Sequence, residues 1–403
     1  MNKPLITFAS ALMLASSPAL AETHSIEPGE GAQERLQEAL ILAEPGDTVQ
    51  LAAGRYTLTD GLSLDADNVT LRGAGMDETV LDFTTQAGAG EGLLVTSDNV
   101  TLRDFGMENP KGDGVKSKGA DNIVYYRVRV AWTNGPDSGN GAYAIYPVES
   151  TGVLIDGVQV SGASDAGIYV GQSRDITVRN SIAEANVAGI EIENSRNALV
   201  ENNFATRNTG GILVFDLPGL PVMGGGNVVI RGNIVAANDE PNFAPPGNIV
   251  GSVRRGTGVL IMANDGVLVA GNNLSDNPTA DIMVIGYPLS YDDERYNPYA
   301  RNVVVGRNFH ARSGRDPQLP MADQLVAGFG GALPPVLWDG LSQDEVSALR
   351  GVSGTSAWTL NLSQPGDEPG SAMPGPVMLS EPVGEFDTGS VGAPAELESR
   401  LAG

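Results

Sequence analysis

The sequence predicts an all-β fold, a single-stranded right-handed parallel β-helix of about ten coils, from two repeating patterns and one absence. A small residue followed by alternating apolar residues recurs as Gly92-Leu-Leu-Val95, Gly114-Val-Lys-Ser117, Ala144-Ile-Tyr-Pro147, Gly167-Ile-Tyr-Val170, Gly189-Ile-Glu-Ile192, Gly211-Ile-Leu-Val214, Gly258-Val-Leu-Ile261 and Asp281-Ile-Met-Val284. The steps from Gly92 to Gly114, Gly167 to Gly189 and Gly189 to Gly211 are equal, which sets a fixed period within the range of solenoid repeats. A second alternation follows within the repeat, as in Asn99-Val-Thr-Leu102, Asp175-Ile-Thr-Val178 and Asn227-Val-Val-Ile230. Two or three short strands per repeat, joined by Gly, Asn and Asp, exclude a helical solenoid and match one coil of a β-helix. The absence is cysteine, which removes disulfides and thiolate metal sites and leaves stability to packing.

The elements follow in order. Residues 1–21 carry Lys3, an apolar run from Leu5 to Ser16 and Pro18-Ala-Leu-Ala21. They are expected to be a signal peptide cleaved after Ala21, which sends the protein to the periplasm or the exterior. Residues 22–60 form the N-terminal cap: Leu36, Leu40 and Ala43 share one face of a short helix that stops at Pro45-Gly46, and Asp47 to Tyr56 supply a first strand. Residues 61–312 are the β-helix. Asn180 and Asn202, and Asn186 and Asn208, repeat at the coil step and are assigned to corners, because Asn tolerates left-handed backbone and its amides can stack between coils. Residues 313–403 are Pro- and Gly-rich, with one short helix expected at Ser342 to Arg350 and the final part, from about Ser363 onward, expected to be disordered.

Two insertions interrupt the period. The step from Gly114 to Ala144 is longer than the regular one and contains Trp132, Asn134-Gly-Pro-Asp137 and Asn140. The step from Gly211 to Gly258 is more than twice the regular one and contains Leu217-Pro-Gly-Leu-Pro221 and Asn242-Phe-Ala-Pro-Pro-Gly247. Loops on a regular scaffold commonly carry function.

Strand alternation sorts the coils into faces. With Val115, Ile145, Ile168, Ile190, Ile212 and Val259 inward, the column Leu94, Lys116, Tyr146, Tyr169, Glu191, Leu213, Leu260 points outward, and Lys118 and Glu193 stand in the next outward column. That arrangement, with the Trp132 loop as a wall, has the makeup of a carbohydrate groove. Lys116, Tyr146 and Tyr169 are the catalytic candidates; Trp132, Asn140, Tyr143, Asp165 and Asp216 are the substrate-binding candidates; Glu191 and Glu193 are candidate Ca²⁺ ligands. Abstraction of the proton beside a uronate carboxylate needs a base, a proton donor and a positive centre for the enolate-like intermediate. Lys116 can serve as base or cation, a tyrosine as acid, and the metal as charge neutraliser. An alternative chemistry, two-carboxylate hydrolysis, would draw on Asp165, Glu191, Glu193 and Asp216. The competing structural account pairs Lys116 with the glutamates and makes the tyrosines an ordinary cross-strand ladder.

The formal charge of −25 argues against nucleic acid, which needs a basic face, and no apolar stretch reaches the length of a membrane span. With two histidines in the chain, His24 and His310, a His-based triad or zinc site is not expected.

The coils from Gly61 to Asn308, with the cap's Pro-Gly-Asp-Thr-Val and Gly-Arg-Tyr, resemble the pectin-lyase-like superfamily. Asn140 to Pro147, Ala163 to Ser173, Asn186 to Ser195 and Thr209 to Pro218 look like a family of exported bacterial proteins with tandem β-helix repeats and no established activity. The sequence departs from characterised relatives. The Asp-Pro-His-Asp of alginate C5-epimerases is met only by Asn134-Gly-Pro-Asp137, and the Gly-His-Gly and Arg-Ile-Lys of polygalacturonases are missing. Chondroitinase-B-like lyases, with Lys, Arg and Ca²⁺, resemble Lys116 and Glu191-Ile-Glu193 in residue type. A copper-delivering branch has no counterpart in the scattered Met223, Met262 and Met283, which packing explains. The expected function is binding and processing of a uronate-containing polysaccharide or oligosaccharide, by a lyase or epimerase reaction. The alternative is a non-catalytic glycan-binding protein, or a periplasmic scaffold holding another exported protein through the 215–250 insertion.

Overall fold

A computed structural model describes residues 21–88, 90–343, 349–352, 355, 357–364, 367, 374–377, 379, 386, 388 and 391–402. The expected signal peptide, apart from Ala21, lies outside them. No helix among the described residues is long and apolar enough to cross a membrane.

The short strands stack coil upon coil, because each alternates one side chain inward and one outward while Gly, Asn and Asp turn the corners. A typical coil contains Ala166–Gly171, Arg174–Arg179 and Ile182–Glu184, one strand on each of three faces. The next coil repeats it in register, with Ile168 opposite Ile190, Ile176 opposite Ala198 and Ala183 opposite Ala205. Among the described residues the first face is a 12-stranded sheet and the other two faces merge into one of 20 strands. Inside, Ile145, Ile168, Ile190, Ile212, Val259 and Ile282 form a fully buried column. Each such side chain contributes about 1.5–3 kcal/mol relative to exposure.

The helix Ala32–Leu42 closes the N-terminal end with Leu36 and Leu40 buried. Parallel pairing begins before residue 61, where Thr48–Leu51 lies beside Thr23–Ile26 and Thr70–Arg72. It continues past 312, where Val336–Trp338 pairs with the strand Ala280–Ile285 and Leu349–Gly351 pairs with Arg301–Val305. The coiled region is thus longer than the span 61–312 read from the repeat, whose glycine signal fades before the pairing does. The helix expected at Ser342 to Arg350 is replaced at its end by the strand Leu349–Gly351; residues 344–348 lie outside the described set.

The asparagines divide their labour. Asn180 and Asn202 take left-handed backbone, at φ 53 and φ 57, whereas Asn186 and Asn208 stack inside. Asn186, Asn208, Asn238 and Asn277 form one amide ladder, each side-chain oxygen after the first accepting the Nδ2 of the coil before. Asn203, Asn233, Asn272 and Asn308 form a second.

The end of the chain does not fit the expectation of disorder over residues 391–402. The 3₁₀ segment Ala395–Leu401 returns to the early coils, where Leu397 is buried against Val124 and Leu154. Arg179 grips Glu398 through two hydrogen bonds of 2.7 Å, and Arg400 donates to Asn122 O and Asn99 Oδ1. Apolar burial plus paired charge outweighs the ordering entropy that the Pro/Gly-rich composition leads one to expect.

Candidate functional site

The predicted outward column exists. Leu94, Lys116, Tyr146, Glu191, Leu213 and Leu260 occupy matched positions on successive first-face strands, and Tyr169 joins them opposite Glu191. Its environment differs from the solvent-facing groove the sequence suggested. Lys116 and Tyr146 are half-buried, but Tyr169 is 4% exposed, Glu191 1% and Leu213 0%. The outward side chains Leu213, Phe215, Leu260, Met262 and Met283 form a second apolar cluster with Val250, Val253, Tyr296 and Leu333, and with the partly buried Leu217, Phe243 and Ile249. The longer insertion and the later loops therefore cover this face, because so much outward apolar surface is unfavourable in water.

At the uncovered end, Lys116 Nζ lies 3.0 Å from Glu91 Oε1, 3.6 Å from Asp113 Oδ2 and 4.7 Å from the centre of the Tyr146 ring. Burial works to lower the Lys116 pKa, but the Glu91 hydrogen bond and the negative charge of Asp113 outweigh it and raise it. Lys116 is therefore a cation, not a free base. The Tyr143 ring sits 4.4 Å from both Tyr146 and Tyr169, and Tyr146 meets Tyr169 edge-on at 5.0 Å. Burial raises the pKa of all three tyrosines, with nearby carboxylates adding to it.

Behind the tyrosines lie carboxyls. Tyr169 OH donates to Glu193 Oε1 at 2.7 Å, so Tyr169 is committed to the interior and touches the open end only through Tyr143 and Tyr146. Asp165 Oδ2 accepts from Asn248 Nδ2 at 3.0 Å and Tyr143 OH at 3.5 Å. Burial, then the charge of Glu193, pushes the Asp165 pKa up to about 7 against those two hydrogen bonds. Burial pushes Glu193 up to about 7 as well, opposed by the Tyr169 hydroxyl. As a carboxylate, Glu191 meets no donor for either oxygen among the described residues; burial followed by the charges of Asp165 and Glu193 raises its pKa far above the carboxylate range, and in its protonated form it hydrogen-bonds the neighbouring Glu193.

Several candidate roles change. Trp132 is 5% exposed and packs in the main core, with Nε1 donating to Pro110 O at 2.8 Å; it anchors the loop instead of offering a stacking surface. Asn140 fastens the same loop to Gly135 O and Gly162 O. Asp216 accepts from Gly224 N and Gly225 N and pins the start of the longer insertion. Glu191 and Glu193 do not fit a Ca²⁺ site, which takes about six to eight oxygen ligands. Among the described residues no three His, Asp or Glu side chains are grouped to hold a metal, and burial favours the protonated form of both glutamates. Glu91 and Asn248 are site residues that sequence reasoning missed. Asn248 sits in an aperiodic insertion and carries no signal, whereas Glu91 immediately precedes a coil glycine.

A separate cavity of about 160 Å³ lies over later coils, lined by Phe215, Leu260, Met262, Met283, Arg254 and Asp339. Burial raises Asp339 to about 6, opposed by hydrogen bonds from Gly286 N and Leu341 N. It is mainly apolar, and the polar groups at Lys116 are not among its lining residues.

Residues 68–217 match the family described as right handed beta helix region. By fold the chain is a right-handed parallel β-helix. It is similar to the A-module of mannuronan C-5 epimerase AlgE6 from Azotobacter vinelandii, with TM-score 0.56 and 18% identity, over 80% of this chain and 83% of that one. The A-module of the AlgE4 epimerase from the same organism gives TM-score 0.53 and 17% identity, over 83% and 90% of the respective chains. No curated protein matches it in sequence.

Proposed function

We propose that the protein binds a uronate-containing polysaccharide at the Lys116 end of the first face and processes it by proton abstraction, as a lyase or epimerase. The observation that carries this reading is the Lys116 ammonium over the Tyr146 ring, with Tyr143 and the titratable Asp165 directly behind. Lys116 would hold the uronate carboxylate and stabilise the enolate-like charge. Tyr146, a protonated phenol, would donate a proton, and Asp165 would take one through Tyr143, its pKa near 7 suiting it to exchange protons at neutral pH. In a lyase the proton leaves the carbon beside the carboxylate, the bond to the glycosidic oxygen breaks, and that oxygen is protonated; in an epimerase a proton returns from the opposite side. Tyr169 positions the other tyrosines. The two structural neighbours are named as mannuronan C-5 epimerases, which supports a uronate substrate, and export to the periplasm or exterior would bring the protein to it.

The test is incubation with a panel of polyuronates, with and without added Ca²⁺, reading ultraviolet absorbance of unsaturated product and deuterium uptake from solvent. Lys116→Ala should abolish either signal and Tyr146→Phe should reduce it by about 10²- to 10⁴-fold. Absence of both signals across the panel overturns the enzymatic reading. A second reading, a non-catalytic glycan-binding protein or a scaffold for another exported protein, is favoured by the hold that Glu91 and Asp113 already have on Lys116. It predicts glycan retention without product, or co-purification of an exported partner.

A further inference from the structure

The outward column of the first face is open on one side of Tyr146 and shut on the other. Ser63, Leu94, Lys116 and Tyr146 follow one another in register; Ser63 is exposed and the other three are half-buried. Three inter-strand steps make this shelf about 14 Å long. From Tyr169 onward the column is buried without a break through Glu191, Leu213, Leu260, Met283 and Leu337. What shuts it is the longer insertion: Asn248 reaches across to Asp165 Oδ2 at 3.0 Å, while Phe243, Ile249 and Val250 join the cluster that contains Tyr143, Tyr146 and Tyr169. Sideways passage past the strand starts meets the 133–142 loop, tied down by Asn140, and the carboxylates of Glu91 and Asp113.

Charge is arranged the same way. The open shelf holds the ammonium of Lys116, paired with Glu91 at 3.0 Å and Asp113 at 3.6 Å, whereas the wall covers three carboxyls, Asp165, Glu191 and Glu193. A uronate carboxylate meets a cation on the shelf by displacing Glu91 or Asp113, and gains nothing from threading toward the covered carboxyls, where apolar packing would also have to be undone.

Resting on the polyuronate reading, we infer that this is a blind-ended site: it takes the terminal sugars of a uronate chain, with the end sugar against Lys116 and Tyr146, and does not accommodate an internal stretch. The chain then extends away over Leu94 and Ser63 toward the N-terminal cap. Products are removed from, or altered at, chain ends.

The experiment compares the full-length polyuronate with fragments of about one tenth its length, at equal sugar mass, using the intact mature protein. Fragmentation multiplies the ends about tenfold, so the half-saturating mass for binding should fall by about the same factor; in a reaction, short products should appear while solution viscosity hardly changes. Half-saturation at the same mass for both, or an early collapse in viscosity, means internal binding and overturns the inference while leaving the proposed function standing. Neither binding nor product with any polyuronate removes both. A variant with residues 240–253 replaced by a short Gly-Ser link should lose the preference for ends. The comparison of chain lengths on the unaltered protein decides the matter even where that variant does not fold.

Discussion

Asn248 Nδ2 donates to Asp165 Oδ2 at 3.0 Å although the two residues are 83 positions apart. One sits in an irregular insertion and the other on the rigid edge of a coil, so this contact fixes the cover to the face it protects. Asn248→Ala should loosen the insertion and leave a buried carboxyl with Tyr143 as its remaining hydrogen-bond donor among the described residues. The expected cost is about 1–3 kcal/mol, together with faster proteolysis inside 240–253. Proteolysis rates equal to those of the unaltered protein would show that apolar packing alone holds the insertion.

Asp165 and Glu193 make stability fall as pH rises. Their pKa values of about 7 in the folded chain lie above the ordinary 3.8 and 4.5. Between roughly pH 4 and pH 7 the folded state therefore binds more protons than the unfolded one, and stability declines across that window at up to about 1.4 kcal/mol per pH unit for each group. Asp47 acts with the opposite sign at lower pH: hydrogen bonds from Glu22 N and Glu44 N, then His24, hold it at about 2, so its contribution is lost as the solution is acidified below about pH 4. Denaturation midpoints should peak near pH 4–5, and Asp165→Asn with Glu193→Gln should flatten the fall. A midpoint climbing from pH 5 to pH 7 contradicts the assignment.

Glu191 buries two oxygens that meet no donor among the described residues as a carboxylate and that contact the neighbouring Glu193 carboxyl when protonated, a burial cost that an apolar side chain of similar volume avoids. Glu191→Met should raise stability at neutral pH by about 1–3 kcal/mol. A lower melting temperature would mean that the proton shared between Glu191 and Glu193 is worth more than burial of the carboxyl costs.

Trp132 is predicted to matter for folding and not for glycan contact. Trp132→Phe should cost about 1 kcal/mol through the lost bond to Pro110 O, and Trp132→Ala about 3–5 kcal/mol, with affinity per folded molecule unchanged in both. A fall in glycan affinity for the Phe variant at undiminished stability would restore it to the binding surface.

Asn233 is a rung whose side-chain oxygen accepts both the backbone N–H and the Nδ2 of Asn203, while its own Nδ2 donates to Val200 O and Asn272 Oδ1. Asn233→Ala orphans groups on both neighbouring coils, at about 1–3 kcal/mol for each one left unpaired. Urea denaturation checks this; a loss of free energy under about 1 kcal/mol, the worth of a single ordinary hydrogen bond, would show that water replaces the rung.

The columns were legible because β-structure has a period of two and the coils repeat at a constant step: Lys116, Tyr146, Tyr169 and Glu191 can be placed side by side from the sequence alone. The cover was not. Residues 216–225 and 239–256 have no period, and the apolar outward positions Leu213, Phe215, Leu260 and Met262 that demand a cover read, one at a time, like ordinary strand residues. Trp132 misled for a related reason: loop membership suggested exposure, while its place directly after the strand Ile123–Ala131 keeps it in the core.

A solenoid ordinarily unwinds from its ends, since each coil holds only to its neighbours. Here the segment Ala395–Leu401 is buttoned to the coils of Val124, Leu154 and Arg179. The contact between Glu398 and Arg179, 219 positions apart, thereby fastens the end of the chain to coils that nearest-neighbour stacking alone would never bring it to.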